Sequence, residues 1–481
     1  MPYLAKLEKA GIPTVLVDFE DQEHMVKEWA LAEGVPKLRS LHAGRILPGP
    51  QDVEKWVEPM LKALTKPLTE EEKEKGKWEP SQDRIIFEGP LDKAHDFYQQ
   101  TQYISHPVKA PIAVYTDGLP IVVPTEERVK EMLTGTSHKP DELIAHLADV
   151  SNVFIGDRKK GEVVQFHPST WKTATVEQVA VNAVMAGCKP EQLPVVLAIA
   201  ESGCSTSTTV FSCQWVCVSG PIAKEIGMNT GCGMLNPGNP ANAAIGRAYQ
   251  LMAINLGGAI TGVNRMSSIG SPFNMGGCCF AENADGLPPG WKGLNEEFLY
   301  KKDESIVMVM VTEGGIEGAQ FSPGGYRALQ KSGHGGIARR LDVKGTPGPH
   351  NWLEYLLPGL WANRTGPRTF LMVSEMAHHL YELGFKSKDA VYEWIWEKSL
   401  TPLKEYRNYS WPDLTTDGWM GIERISGKRW KELNDDYPVP LAGNKPSENR
   451  IIIGGGDEEL CLQISGGPIG FNPVYSVDAW R

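Results

Sequence analysis

Short apolar runs rich in β-branched residues alternate with amphipathic helical stretches along most of this chain. Ser305–Thr312, Thr369–Ser374 and Asn449–Gly456 have the composition of buried strands. Gln51–Leu64 and Ser387–Ser399 have the periodicity of helices with one apolar face. Alternating strands and helices predict an α/β fold with largely parallel sheets and helices on both faces.

The length of the chain predicts more than one folding unit. A chain of 481 residues exceeds the size at which a single hydrophobic core keeps growing, so we expect two to three α/β lobes. The predicted units are an N-terminal α/β lobe at 1–110 and a central cysteine-rich α/β domain at 111–312. A glycine-rich loop region at 313–365 and a C-terminal α/β segment at 366–481 follow, and the latter is a candidate to complete the N-terminal lobe.

Charge and hydropathy limit the partners and the compartment. The formal net charge of −11 argues against binding to nucleic acid or to an anionic membrane. The first residues carry no signal-peptide core, and no apolar run reaches the roughly 18–20 residues that a membrane span needs. We therefore expect a cytoplasmic protein, in which eight cysteines stay reduced and serve as buried thiols, metal ligands or redox groups.

Six of the eight cysteines fall between Leu193 and Asn283. The apolar run 193–200 is predicted as a strand, and Cys204 follows it together with Ser205 and Thr206. Active sites of parallel α/β sheets lie at the carboxyl ends of strands, where amides and hydroxyls can stabilise a thiolate or an oxyanion. This setting makes Cys204 the leading candidate nucleophile; the alternative is a tight turn that needs small residues.

The remaining cysteines of this stretch allow several interpretations. Cys213 and Cys217 have the i, i+4 spacing of one helix face, and with Cys204 and Cys232 they could form a zinc or iron–sulfur site. A redox couple or simple burial are the alternatives. The adjacent pair at 278–279 precedes Glu282 and could form a thiol/acid site, or could simply pack in the core.

A glycine-rich loop precedes the predicted helix Pro240–Asn255. Such a loop at a helix N-terminus is suited to anions such as carboxylate or phosphate. Asn229, Asn236, Asn239 and Arg247 are the predicted polar contacts for the anionic end of a substrate. His378 and His379 form no metal motif, and no Ser-His-Asp arrangement can be assembled from the sequence alone.

Five segments resemble the UGSC family, which is named for a selenocysteine (or cysteine)-Gly-Ser-Cys motif. They are Asp117–Leu133, Ala174–Cys188, Gly220–Asn229, Ala241–Tyr249 and Phe280–Asn283. The resemblance covers most of the chain. It implies a thiol or selenol redox protein, distantly similar to the selenoprotein subunits of glycine-type reductases.

The chain departs from that family at its N-terminus. In longer relatives the name-giving motif lies just upstream of a segment similar to Leu7–Thr14, and this sequence begins almost there. We therefore expect either a separate small subunit that carries a Cys-Gly-Ser-Cys motif or a transfer of the chemistry to other thiols.

The leading hypothesis is a subunit of a thiol-dependent oxidoreductase or reductive lyase that acts on a small anionic organic substrate within an oligomer. Cys204 would be the nucleophile, Cys232, Cys278 or Cys279 the resolving thiol, and Glu282 a general acid/base. One alternative is a zinc- or iron–sulfur-dependent lyase or hydratase. The other is a non-catalytic scaffold subunit for the small cysteine-bearing partner.

Overall fold

The computed structural model describes residues 2–20, 23, 26–27, 30, 34–44, 50–73, 83–104, 108–150, 157–166, 172–204, 213–262, 265, 270, 274–312, 316–321, 367–406, 421–423, 425–456, 461–465 and 473–481. Within these ranges, no helix combines the length and the apolar character that a membrane crossing requires.

The described strands are β1 (Leu16–Phe19), β2 (Ser40–Ala43), β3 (Thr101–Ile104), β4 (Ala110–Ala113), β5 (Cys213–Ser219), β6 (Cys278–Ala281), β7 (Ile306–Thr312), β8 (Ile316–Phe321), β9 (Arg368–Met372), β10 (Leu400–Pro402), β11 (Pro438–Pro440), β12 (Arg450–Ile453), β13 (Cys461–Ser465) and β14 (Val474–Ser476). The described helices are α1 (Pro2–Lys9), α2 (Pro50–Thr65), α3 (Leu91–Tyr98), α4 (Glu126–Met132), α5 (Val176–Ala186), α6 (Leu193–Ala200), α7 (Ile222–Glu225), α8 (Pro240–Asn255), α9 (Leu294–Glu297), α10 (Ser374–Glu382), α11 (Lys388–Lys398) and α12 (Leu403–Tyr406).

Two four-stranded sheets form the centre of the molecule, and both are mixed. The central sheet has the order β14–β7–β5–β6, in which only β5 and β6 are parallel. The C-terminal sheet has the order β12–β9–β13–β8, in which only β12 and β9 are parallel. The α/β class is confirmed. The expectation of largely parallel sheets is wrong for the described strands, because β5–β7, β7–β14, β9–β13 and β13–β8 are antiparallel neighbours, which need no helical crossover between them.

The two sheets pack against each other, and the longer described helices lie against their outer faces. Trp215 and Cys217 of β5 share a hydrophobic cluster with Leu371 and Ile452 of the C-terminal sheet. Val216, the residue between them, belongs instead to the cluster built with helices α5, α6 and α8. Because side chains alternate across a strand, each sheet has one face toward helices and one toward the other sheet.

The outer face of the C-terminal sheet is covered by α10 and α11. Phe370 and Met372 of β9 pack with Met376 and Leu380 of α10 and with Ile395 of α11. The layers therefore run helices, central sheet, C-terminal sheet, helices.

The predicted domain boundaries stay predictions, but three packing facts bear on them. The N-terminal residues have a small cluster of their own, which includes Val35 and Leu38. Ala94 and Tyr98 belong to the central core although they precede residue 111. β14, near the C-terminus, pairs with β7 of the central sheet.

Local capping residues define the ends of two of the described helices. Thr175 and Gln178 form a reciprocal capping box at the start of α5, and Gly187 ends that helix in the left-handed conformation with φ 83°. Ser387 caps α11 by accepting a hydrogen bond from the Ala390 amide.

Two local predictions are wrong. Residues 193–200 form helix α6, not a strand, because this run is buried on all sides and has no periodicity to distinguish the two. Pro194 in its first turn favours the helix. The predicted glycine-rich loop region at 313–365 contains strand β8, which forms by pairing with β13; its other residues lie outside the described ranges.

Candidate functional site

The loop at 229–239, which leads into α8, is held in place by its own amides. The Asn229 side chain donates to Asn239 Oδ1 over 2.9 Å, and the Asn239 side chain donates to the carbonyl of Gly233 over 2.8 Å. Asn242 closes the network by donating to the Asn229 carbonyl over 3.0 Å. The amides of Asn229 and Asn239 thus hold the loop, while Asn236 is exposed.

Cys232 lies in this loop with its side chain exposed. The loop rests on the glycines that follow β12: the Gly455 amide donates to the Thr230 carbonyl over 2.9 Å. A Cβ added to Gly456 would lie 2.7 Å from Cys232 Cβ, so only glycine permits this contact. Gly454–Gly456 thus follows the carboxyl end of β12.

Cys204 does not have the setting expected of a nucleophile. It follows helix α6 rather than a strand, and its side chain is fully buried. Burial raises the pKa of its thiol well above the ordinary value, which disfavours the reactive thiolate. Its φ of 48° is left-handed, a conformation that a non-glycine residue rarely adopts. The neighbouring candidates Ser205 and Thr206 lie outside the described residues.

Cys278 and Cys279 lie on opposite faces of β6. Cys279 faces the helices, is buried, and has a thiol pKa raised mainly by burial and further by the nearby thiols of Cys278 and Cys188. Cys278 is half-buried and packs toward the C-terminal sheet. Neither cysteine is in a disulfide. The two thiols therefore do not share one pocket.

The four-cysteine metal set is not brought together. Cys213 and Cys217 lie on strand β5, not on a helix, because this apolar segment pairs with β6 and β7. Across the described ranges, no three His, Cys, Asp or Glu side chains converge in a way that could hold a metal ion. Cys204 and Cys217 are buried and Cys232 is exposed in the loop before α8, and zinc or iron–sulfur ligation stays a prediction.

Glu282 is the centre of a buried polar network. Its Oε2 accepts hydrogen bonds from Ser219 Oγ over 2.8 Å and from the Leu294 amide over 2.7 Å. Its Oε1 accepts one from Lys388 Nζ over 3.2 Å. The Glu282 side chain has 0% exposure. Both oxygens of Glu282 are therefore engaged inside the fold and shielded from solvent.

Lys388 bridges Glu282 to a second buried carboxylate. Its ammonium lies 3.1 Å from Glu297 Oε2, and Glu297 Oε1 accepts a hydrogen bond from the Tyr392 hydroxyl over 2.7 Å. Burial acts to lower the pKa of Lys388, but the two carboxylates outweigh it and raise that pKa. Burial raises the pKa of Glu297 despite the neighbouring ammonium. The lysine is thus held firmly in its charged form.

Sequence reasoning missed Lys388, Glu297 and Tyr392. One signal was available for the lysine: it lies three, four and seven positions before Val391, Tyr392 and Ile395, which are the buried face of α11. A lysine at such a position must find a buried acid. Which acid it meets is decided by the packing of α9 and β6 against α11.

Arg247 is already paired. Its guanidinium makes a two-pronged contact with Asp117, with 2.9 Å from Nε to Oδ2 and 2.9 Å from Nη2 to Oδ1. Nη2 also donates to the carbonyls of Leu119 and Pro120. These contacts tie α8 to the 117–120 turn, and the role of Arg247 in holding an anionic substrate stays a prediction.

The fold and the site define an α/β protein with two facing mixed sheets, several buried free thiols and one exposed thiol in an amide-held loop. Comparison with protein-family models, with curated proteins and with solved structures finds no match to the chain.

Proposed function

We propose that the chain is a subunit of a thiol-dependent oxidoreductase or reductive lyase that acts on a small anionic organic substrate, with Cys232 as its reacting thiol. One observation carries the proposal. Among the cysteines that the structure describes, Cys232 is the exposed one, whereas Cys204, Cys217, Cys279 and Cys461 are buried. We therefore assign to Cys232 the role of nucleophilic thiol that the sequence first predicted for Cys204.

The surroundings of Cys232 support this role. The amide network and the contact with Gly456 keep its backbone in one place, and a reacting group needs such support. The loop leads directly into the 16-residue helix α8, whose N-terminal dipole favours an anionic group. The exposed Asn236 can contribute a neutral polar contact.

The chemistry follows from thiol–disulfide exchange. The Cys232 thiolate attacks one sulfur of a disulfide, a mixed disulfide forms, and the other sulfur leaves as a thiol after taking up a proton. A second thiol then breaks the mixed disulfide and is itself oxidised. The half-buried Cys278 is one source of that thiol; a partner with a Cys-Gly-Ser-Cys motif, as the resemblance to the UGSC family implies, is the other. Such chemistry fits a reducing, cytoplasmic compartment.

The first test is pulsed alkylation of the native full-length chain with iodoacetamide, followed by peptide mass spectrometry. We expect Cys232 to be modified at least about tenfold faster than Cys204 or Cys461, because burial shields those two thiols. The second test measures reduction of glutathione disulfide with a dithiol as electron donor. Cys232→Ser should lower the rate at least about tenfold, while the control Cys461→Ser should not. Unchanged turnover in Cys232→Ser would contradict the proposal.

A non-catalytic scaffold subunit is the second candidate, and a specific observation favours it. Glu282 and Arg247, which were expected to act on a substrate, are both engaged in internal contacts. The scaffold hypothesis predicts that a partner protein copurifies with the chain. If the complex of this partner with the Cys232→Ser variant kept full activity, that result would support the scaffold hypothesis instead.

A further inference from the structure

The N-terminal strands β1 and β2 bring three polar side chains together, namely Asp18 on β1 and Ser40 and His42 on β2. The strands are parallel, and Asp18 lies directly opposite His42 in their register. Ser40 lies two residues before His42, so their side chains emerge on the same face of β2. Asp18 and His42 also lie near the carboxyl ends of their strands, where sites on parallel sheets are built.

The three side chains form a continuous hydrogen-bonded chain. Asp18 Oδ1 lies 2.5 Å from His42 Nδ1, and His42 Nε2 lies 3.3 Å from Ser40 Oγ. The imidazole thus has a carboxylate on one nitrogen and a hydroxyl on the other. This is the order of groups by which a serine hydroxyl is activated for nucleophilic attack.

The solvent exposure of the three hydrogen-bonded side chains differs in the way that such a site requires. The Asp18 side chain is only 6% exposed, whereas the His42 side chain is 24% exposed and Ser40 is half-buried. Asp18 Oδ2 is buried with no hydrogen-bond partner among the described residues. The Asp18 carboxylate therefore depends on His42 for compensation, while His42 and Ser40 keep partial exposure to solvent.

The electrostatics of Asp18 agree with this geometry. Burial raises the pKa of Asp18, while the hydrogen bond and the charge of His42 act to lower it. His42 therefore offsets part of the cost of burying the Asp18 carboxyl group.

Glu23 is the other acid near the imidazole, and it does not replace Ser40. Its Oε1 is 3.9 Å from His42 Nε2, beyond hydrogen-bonding distance. The same oxygen is paired with Lys27 over 2.5 Å at the exposed surface.

We infer that Ser40, His42 and Asp18 form a second active site, of the serine acyl-transfer type, that takes small carboxylic esters. Ser40 is the nucleophile, His42 the general base and then acid, and Asp18 the positioning residue. The half-buried Leu16, opposite Ser40 on the same face, offers an apolar contact to an acyl group. Gly44 has open space beside it, since a Cβ added there would meet nothing within 4 Å.

The reaction balances without a cofactor. Ser40 Oγ bonds to the ester carbonyl carbon while its proton passes to His42 Nε2. The carbon–oxygen bond of the ester then breaks, and the leaving alcohol takes that proton. Water repeats the same steps on the acyl-serine, which releases the acid and restores the hydroxyl.

The test uses the wild-type full-length chain first, so that it does not depend on the folding of a variant. A fluorophosphonate probe should form an adduct on Ser40, located by peptide mass spectrometry, and no adduct should form when the chain is unfolded in urea before the probe is added. A known serine esterase, treated in parallel, shows that the probe is active. No adduct on Ser40 of the native chain under those conditions overturns the inference.

Variants then assign the roles, with p-nitrophenyl acetate as the substrate. Ser40→Ala should abolish the burst of nitrophenol, and the exposed-serine control Ser447→Ala should keep it. Asp18→Asn should slow labelling at least about tenfold while the adduct stays on Ser40. Glu23→Gln should keep the labelling rate within about twofold. A Ser40 adduct that forms equally fast in Asp18→Asn and His42→Gln would reveal a merely accessible hydroxyl and reject the triad.

Discussion

Lys388 lies in the first turn of α11 with its ammonium group between two buried carboxylates. Its side chain is 3% exposed, and it contacts Glu282 and Glu297 at 3.2 and 3.1 Å. Transfer of charged groups out of water is costly, so the arrangement is stable only while all three partners are present. The lysine thus ties α11 to β6 and α9.

Replacing Lys388 by Met should lower the free energy of unfolding by about 3–5 kcal/mol, because two carboxylates would remain buried without their cation. Urea denaturation at neutral pH measures the change. Lys398→Met, at the exposed end of the same helix, is the matched control and should change stability by less than about 0.5 kcal/mol. A decrease in the free energy of unfolding below about 1 kcal/mol for Lys388→Met would show that Glu282 and Glu297 do not depend on the Lys388 ammonium for charge compensation.

At the scale of an element, α8 packs on the turn before β6 through two glycines. A Cβ added to Gly277 would lie 1.9 Å from the Gly246 carbonyl oxygen, and one added to Gly246 would lie 3.0 Å from the Cys279 amide. The helix and the turn therefore approach backbone to backbone. This contact sets the position of β6, which carries Cys278.

Gly277→Ala should destabilise the protein by more than about 3 kcal/mol, since it combines left-handed backbone strain with a clash against α8. Gly276 is the matched control, because its φ of 73° is close to the 75° of Gly277. A Cβ added to Gly276 would meet no described atom within 4 Å. Gly276→Ala should therefore cost only the strain, about 1–2 kcal/mol. Equal losses in the two variants would remove the close approach as a cause.

At the scale of the whole molecule, the layered packing distributes buried thiols over three hydrophobic clusters. Cys204 and Cys279 lie in the cluster beneath the helices of the central sheet, Cys217 between the sheets and Cys461 beneath α10 and α11. Burial raises the pKa of each of these thiols above its ordinary value. The protonation of these thiols is therefore linked to the free energy of unfolding of the protein.

Stability should fall as the pH rises above the pKa of an unfolded cysteine, about 8.5, because the unfolded chain then releases protons that the folded chain keeps. Below that pH both states hold the proton and the thiols add no slope. Each buried thiol contributes up to about 1.4 kcal/mol per pH unit. Urea denaturation between pH 7 and 10 should show this slope.

Cys461→Ala should reduce that slope by about 1.4 kcal/mol per pH unit above pH ~9.5. Val439→Ala is the control, because it opens a comparable space in the same cluster without removing an ionisable group. It should lower stability at every pH and leave the slope unchanged. Parallel slopes for Cys461→Ala and the wild type would contradict the linkage.

The sequence by itself determined the elements that depend on local interactions. Thr175, Gly187 and Ser387 fix helix ends through bonds to backbone groups within a few residues, and β7 and β12 are buried apolar runs with clear limits. The α/β class follows from those elements. No long-range contact is needed to establish it.

Only the tertiary structure decided what the reactive residues do. Residues 193–200 are apolar at every position, so their pattern does not distinguish a strand from a helix. They form a helix, and Cys204, which follows it, is buried in the core rather than exposed at the end of a strand. Strand pairing likewise placed Asp18 beside His42 across 24 residues of chain. Burial and pairing depend on segments far away in sequence, and the reactivity of thiols, hydroxyls and carboxylates depends on both.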